Sequence, residues 1–506
     1  MSSSAPPRSE AAPISRDVRP ARILVPMFGI GAGFVVSVIL LAVAGSDPVS
    51  ISVGDTTVLR ADRFGSVSAA FVCFVTLLVQ AFARRSLAAE PWGERFFPAS
   101  ALVGLATVVV ALAASWWAVA IAWLAVSAAT VMVLGHDGRP GGRSAARSAR
   151  RTFFIGDLAV LSAAAILTLA PGANSANGFA SRPESTGLIV IAGVLLVIAA
   201  ATRGALPPFH GWLRRSVDAP TPVSALLHAG VVNGGGILLI RGAQVVGGAW
   251  VIQALALVVG LVAVVGGVAV MRTRSDVKGA LIWSTIAQMG FMTVQCALGL
   301  FGPAIIHLVA HGMFKAYLFL ESGSTVAHTE HRHAGAGRKL AARPLGEMVA
   351  MGSVGALAVG AALLIVRPEF VGHGAGWLPV VLLGVLSIQS AVIWGRRQHS
   401  VARSAATAVG LALIATGWLA LADGIESAVG LGDTSDSTFA TIGALVVLLV
   451  CLGGWAVSAR LSSGRGSTRW VDQCWLWAAD FSDPHRRDSA PRLGHTRTNL
   501  NGGQPT

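Results

Sequence analysis

The stretch HLVAHGMFK, His307 to Lys315, sets two imidazoles and an ammonium into an apolar run. On a helix turning about 100° per residue, His307, His311 and Lys315 fall at about 0°, 40° and 80°, and Glu321 at about −40°. Four titratable groups therefore share one stripe. Ionisable side chains inside a membrane segment are costly, so such a stripe must face a bundle interior or water. Imidazole titrates near neutrality, and imidazoles alternating with an ammonium and water can hand a proton along. Two other readings of the same residues stand beside an ion path. The groups can be polar packing that only hydrogen-bonds to neighbours, or HxxxH can be half of a zinc site, for which no third ligand is evident.

A second constellation lies in DAPTPVSALLHAGVVNGGGILLIR. Asp218 precedes a Pro-rich segment, His228 sits within the next apolar run, and Asn233 follows it. The run Gly234, Gly235, Gly236 permits a local opening of the backbone or simply close helix packing. Arg203 ends the preceding apolar run. It either snorkels to an interface or is a fixed positive charge on the path; it is not a proton carrier, because guanidinium does not deprotonate in proteins. Asp276 and Lys278 stand at a helix start, where a structural role suffices. The candidate path residues are thus His228, His307, His311, Lys315, Arg203, Asp218 and Glu321.

The elements that must hold these groups are membrane helices. Of 506 residues 54% are hydrophobic and only 12% charged, against about a quarter charged in a soluble domain. Apolar runs of about 20 residues, each enough to span a bilayer as a helix, recur along the chain. About 14 spans are expected, near 23–44, 67–82, 99–114, 116–134, 154–170, 187–202, 222–246, 250–271, 278–299, 303–326, 346–366, 377–395, 404–421 and 437–458. The fold class is an all-α polytopic membrane protein. Net charge is +14, but the arginines sit in short gaps between apolar runs, so they read as orientation signals and not as a nucleic-acid surface. They alternate: Arg84 and Arg85, then Arg139 to Arg151, Arg214 and Arg215, Arg272 and Arg274, Arg338 to Arg343, and Arg396 to Arg403 occupy every second gap. Positive loops stay cytoplasmic, which puts both termini there.

GALPPFHGWLRRSVDAPTPV interrupts the pattern with Pro207, Pro208, Pro220 and Pro222. Irregular backbone at membrane depth is tolerated only inside protein or against a wet cavity, and broken helices mark ion paths in transporters; an ordinary surface loop is the alternative. Residues 1–22 are polar and expected to be disordered, 23–460 form the transmembrane domain, and 461–506 form a basic, largely disordered tail. The first apolar run reads as a retained anchor. Cys73, Cys296, Cys451 and Cys474 make no CxxC pair, so neither a disulfide framework nor a zinc site follows. The sequence holds no dinucleotide fingerprint, haem-attachment motif, iron–sulfur cluster pattern or Walker motif. Energy must come from an ion gradient or from another subunit.

PPFHGWLRRSVDAPTPVSALLHAGVVNGGGILLIR, together with SDVKGALIWSTIAQMGFM and HLVAHGMFKAYLFL, resembles the signature of proton-conducting membrane subunits. That family includes the L subunit of respiratory complex I, the Mrp antiporter subunits and the DabB subunits of inorganic-carbon transporters. The resemblance covers about residues 55–335, and LRADRFGSVSAAFVCFVTLLVQAFARRSL, LLHAGVVN and RPGGRSAARSARRTFFIGDL point to the DabB branch. It implies two inverted five-helix repeats with a broken helix, a site in the inner (cytoplasmic) membrane, and a partner resembling a zinc β-carbonic anhydrase, DabA. In such a pair an ion gradient passed through the membrane subunit drives CO2 hydration to bicarbonate at the partner. No cofactor is then expected in this chain, and zinc is expected in the partner. The alternative within the family is a complex I or Mrp subunit that moves protons or sodium. Against the complex I pattern, the Trp-Glu pair of the first half reads Trp123-Leu124, the usual Lys before the break is Arg203, and the Lys of the second half has no evident counterpart.

Overall fold

The computed structural model describes residues 20–43, 48–90, 92–170, 187–325 and 437–462, with a few single residues between 377 and 425. Its elements are α1 (Ala21–Val43), strands β1 (Val49–Val53) and β2 (Thr56–Ala61), α2 (Arg63–Ser86), α3 (Phe96–Leu112), α4 (Trp116–Gly135), α5 (Pro140–Leu169) and α6 (Gly187–Arg203). They continue with α7 (Gly211–Arg214), α8 (Thr221–Ala229), α9 (Gly234–Arg241), α10 (Ala243–Val246), α11 (Trp250–Met271), α12 (Val277–Ala297), α13 (Phe301–Thr325) and α14 (Ser437–Ser462). Among the described residues eight helices are long and apolar enough to cross a membrane, counting Thr221–Arg241 as one. The protein is a multi-pass membrane protein. The expected span near 346–366 lies outside the described residues, those near 377–395 and 404–421 lie outside them but for a few single residues, and so do residues 1–19 and 463–506 of the two tails.

Helices dominate because lipid offers no partner for a free N–H or C=O, so each spanning segment must close its own backbone bonds. Their starts are written locally. Asp62 caps α2 by accepting from Gly65 N at 2.7 Å, and Asp276 caps α12 through Gly279 N at 2.6 Å. α5 begins at Pro140, a residue suited to the first turn. It runs 30 residues, about 45 Å at 1.5 Å per residue, so its Arg-bearing start projects beyond a hydrocarbon core of about 30 Å. The expected span near 154–170 is only its apolar part; arginine is a good helix former, and the helix therefore continues outward.

The all-α reading needs one correction. β1 and β2 form an antiparallel hairpin, with Val49 opposite Ala61 and Val53 opposite Thr56. Its turn carries Gly54 at φ +59°, a backbone conformation glycine adopts without strain. The signal was local alternation in VSISV, a period of two that a search for long apolar runs passes over.

α11 packs along α12, α5 between α4 and α6, and α13 against α8 and α12. The α11–α12 seam is built on small residues: a Cβ on Gly290 would come within 2.6 Å of Ala263 Cβ and 2.7 Å of Gly260 O. Close backbone approach is how membrane helices gain contact without a hydrophobic drive. Gly290→Ala is expected to force the two helices apart and cost about 1–3 kcal/mol, as overpacking does; denaturant titration in detergent measures it.

Candidate functional site

The Pro-rich segment is packed into the protein at several points, although Pro208 and Asp218 are exposed. Leu206, Trp212, Leu213 and Ser216 are buried, and Trp212 Nε1 donates to Thr202 O at 3.0 Å. It delivers the chain into a span that is itself broken. α8 ends at Ala229, residues Val231–Asn233 make one 3₁₀ turn, and α9 starts at Gly234. A break leaves carbonyls at the end of the first half without helical partners, and site side chains take them up. Asn233 Nδ2 donates to Ala229 O at 2.8 Å, and His311 hydrogen-bonds to the backbone of His228. α13 reaches the break because residue 312 is glycine: a Cβ there would lie 2.2 Å from Phe71 and 2.8 Å from Ala229 O.

α12 positions the titratable groups. His228, fully buried, places Nδ1 3.0 Å from Thr285 Oγ1, and Thr285 donates its own proton to Leu281 O at 2.9 Å. With that proton spent, Nδ1–H of His228 is the donor. His307 Nδ1 lies 2.9 Å from Gln295 Oε1, and the His307 and His311 rings are 5.8 Å apart. Lys315, 1% exposed, donates to Ser284 Oγ at 2.9 Å and to Leu281 O at 3.3 Å. His228 stacks on Phe319 at 4.3 Å between centroids. All three Nε2 atoms, of His228, His307 and His311, are buried with no protein partner among the described residues. No carboxylate among the described residues pairs with Lys315. Three imidazoles and an ammonium thus line a buried row across α8 and α13, with the three Nε2 atoms open among the described residues. Protonated or bridged by water, such a row can carry a cation's charge stepwise.

Arg203 forms a second cluster on the other side of α9. It is 1% exposed, its stem lies 3.3 Å from the Cβ that Gly234 lacks, and its guanidinium sits 4.4 Å from the Trp123 ring and 4.6 Å from Phe153. Nη2 donates to Trp123 O at 3.1 Å and Ser127 Oγ at 2.8 Å. Ser127 Oγ in turn donates to Asp157 Oδ1 at 2.6 Å. Arg203 is therefore buried among rings and does not snorkel.

The structure brings His228, His307, His311 and Lys315 together and keeps Arg203 in its own pocket. Asp218 is exposed and sits near Lys278, whose Nζ donates to Ala219 O at 2.6 Å. Glu321 is exposed beside Tyr317 in the last turns of α13, away from the buried row. Sequence reasoning missed Ser127, Asp157, Ser284, Thr285 and Gln295. The last three lie on one helix, and their grouping within WSTIAQMGFMTVQ was open to view. Among the described residues no group of three His, Cys, Asp or Glu side chains converges on a metal position.

Comparison with known proteins agrees with this architecture. The chain is 33% identical over 287 residues to "Probable inorganic carbon transporter subunit DabB1" of Halothiobacillus neapolitanus, which is 55% of this chain and 51% of that one. It is 47% identical over 147 residues to "Probable inorganic carbon transporter subunit DabB" of Hydrogenovibrio crunogenus, 29% of this chain and 28% of that one. It is 34% identical over 197 residues to "NADH-quinone oxidoreductase subunit L" of Mycobacterium tuberculosis, 37% and 31% of the two chains. The matched stretches thus span from about a quarter to about half of these curated relatives. A chain in the "Structure of Mrp complex from Dietzia sp. DQ12-45-1b" superposes with a TM-score of 0.54 at 21% identity, covering 94% of this chain and 56% of that one, a likeness of fold alone. The family model for the membrane part of NADH:quinone oxidoreductases and Mrp antiporters matches residues 105–360, half of the chain and all of both clusters. On that match, the chain belongs to the NADH:quinone oxidoreductase/Mrp antiporter membrane-subunit family.

Proposed function

We propose that this chain is the ion-translocating membrane subunit, moving protons, of an inorganic-carbon accumulating complex of the DabB kind. The observation that carries the translocation is the buried row of His228, His311, His307 and Lys315, three imidazoles with open Nε2 atoms and an ammonium without a carboxylate partner among the described residues. Groups of this kind at membrane depth are retained for ion movement. The identity with DabB relatives supports the carbon role. In this reading the partner is a DabA-like zinc protein related to carbonic anhydrase, the chain holds no cofactor of its own, and both termini face the cytoplasm of the inner membrane. In this reading the chain has about 14 transmembrane helices, with antiporter-like inverted repeats and a broken helix.

The test is growth. The chain is expressed with its neighbouring partner gene in a carbonic-anhydrase-deficient bacterium and grown in ambient air. Wild-type rescue, lost with Lys315→Ala, is the expected result. Rescue by both would keep the carbon role and reduce Lys315 to packing. No rescue by an assembled complex would favour the second reading, a proton or sodium translocating subunit of the complex I or Mrp kind, for which the fold likeness to an Mrp chain is the motive.

A further inference from the structure

We propose that the wedge between α1 and α4 binds an anionic phospholipid of the surrounding bilayer, with the lipid phosphate on Arg95. The wedge follows from the packing. α1 packs on α2 and α3, and α4 packs on α3 and α5. Between α1 and α4, over the start of α3, a cavity of about 900 Å³ remains, large enough for a small organic ligand.

Its lining is layered as a phospholipid is. α1 and α3 start at this membrane face and α4 ends there. Arg22, Glu94 and Arg95 line the mouth, at the ends of these helices. Val25, Ala99, Val131 and Met132 line the cavity about one helical turn further in, which is about 5 Å deeper. Val25 and Met132 are exposed, so an acyl chain can enter from the side and cover them. A charged head and an apolar chain thus each meet matching groups at their own depth.

The charge at the mouth selects an anion. Arg22 Nη1 donates to Glu94 Oε1 at 2.7 Å, so these two charges cancel. Glu90 and Asp137 are both taken by Arg139. Arg95 is the surplus: it is exposed and makes no ion pair among the described residues. Its guanidinium sits 4.1 Å from the centre of the Trp92 ring. Trp92 holds φ +68°, a left-handed conformation that is costly for a bulky side chain. The turn therefore keeps a strained residue whose ring carries Arg95 at the mouth. Tryptophan is an anchor of the membrane interface, the fork of a guanidinium matches a phosphate, and basic pockets between membrane helices hold lipid head groups. The site needs no ion movement, so it stands apart from the translocation reading.

A photoreactive lipid tests it. The full-length protein is placed in phosphatidylcholine vesicles carrying a minor share of phosphatidylglycerol with a diazirine on one acyl chain, and the adducts are mapped after illumination. Label is expected to concentrate on Val25 and Met132. Arg95→Ala is expected to cut it roughly tenfold, the scale of losing a hydrogen bond to a charged group. Arg95→Lys, which keeps the charge, should retain most of it, and so should Arg147→Ala on exposed α5 surface outside the wedge. Equal loss in the Ala and Lys variants of Arg95 would make that residue structural and overturn the proposal. So would equal loss in Arg147→Ala, which means attraction to the basic face at large. The same label from diazirine phosphatidylcholine, or label at Met132 no stronger than at the exposed Phe154 of α5, would mean bulk lipid only and overturn it as well.

Discussion

Lys315→Met is expected to abolish ion flux and to leave the fold as stable as before, or more so. Lys315 is 1% exposed, yet it has two hydrogen bonds and no carboxylate partner among the described residues. A buried charge costs several kcal/mol in desolvation, and replacing it by an apolar side chain of similar volume is often neutral or stabilising by about 1–4 kcal/mol. Met keeps the length of the stem and fills the slot between Leu281 and Ser284. What it removes is the one cation of the row. Flux into vesicles should fall about a hundredfold, the range seen when a positioned proton-transfer group is deleted, while the denaturation midpoint holds or rises. A parallel fall of both would make Lys315 a structural residue and sink the path assignment.

Arg241→Met is expected to do the opposite. Arg241 is also 1% exposed, but its donors are used. Nε gives to Ala111 O at 2.7 Å, Nη2 to Asp62 Oδ1 at 2.9 Å and also to Ala111 O, and Nη1 to the second oxygen of Asp62. Asp62 meanwhile caps α2. One guanidinium therefore ties the start of α2, the end of α3 and the end of α9. Removing one member of a buried pair leaves the other charge stranded and costs about 3–5 kcal/mol. The membrane yield of Arg241→Met and its unfolding midpoint should both fall sharply. Asp62→Asn should fall less, because an amide oxygen still caps Gly65 and still accepts one guanidinium bond. Near-wild-type stability of Arg241→Met would show that the helix ends are held by packing alone. Two buried cations of equal exposure are thus distinguished by their partners.

Much of the fold was legible because lipid imposes a crude rule. Long apolar runs have little choice but to be helices, and 11 of the expected spans coincide with described helices. The hairpin escaped because its strands are five and six residues long and carry no long apolar run. The stripe of His307, His311 and Lys315 was visible as an i, i+4, i+8 spacing, since that spacing is a property of one helix. Asp157 was invisible for the converse reason. Its meaning comes from Ser127, 30 positions away, and from Arg203 on a third helix, and no spacing within α5 hints at either. Glu321 shows the limit of the angular argument. It lies within the same stripe by rotation, but six residues past Lys315 the helix has reached the end where charge is no longer shielded from the surroundings.

The break between α8 and α9 also shapes the electric field. A helix carries roughly half a positive charge at its first turn and half a negative charge at its last. An unbroken span would hold both at the membrane faces. Ending α8 at Ala229 and restarting at Gly234 puts one of each in the interior. The negative end lies at His228 and the carbonyls that Asn233 and His311 engage. The positive end begins at Gly234, against the stem of Arg203. The backbone itself therefore supplies the imidazole row with a counter-charge that no side chain among the described residues provides, and sets a positive pole beside the cluster that holds a carboxylate. One helix interruption polarises the two clusters in opposite senses, so that they differ in the sign of charge they favour before any ion arrives.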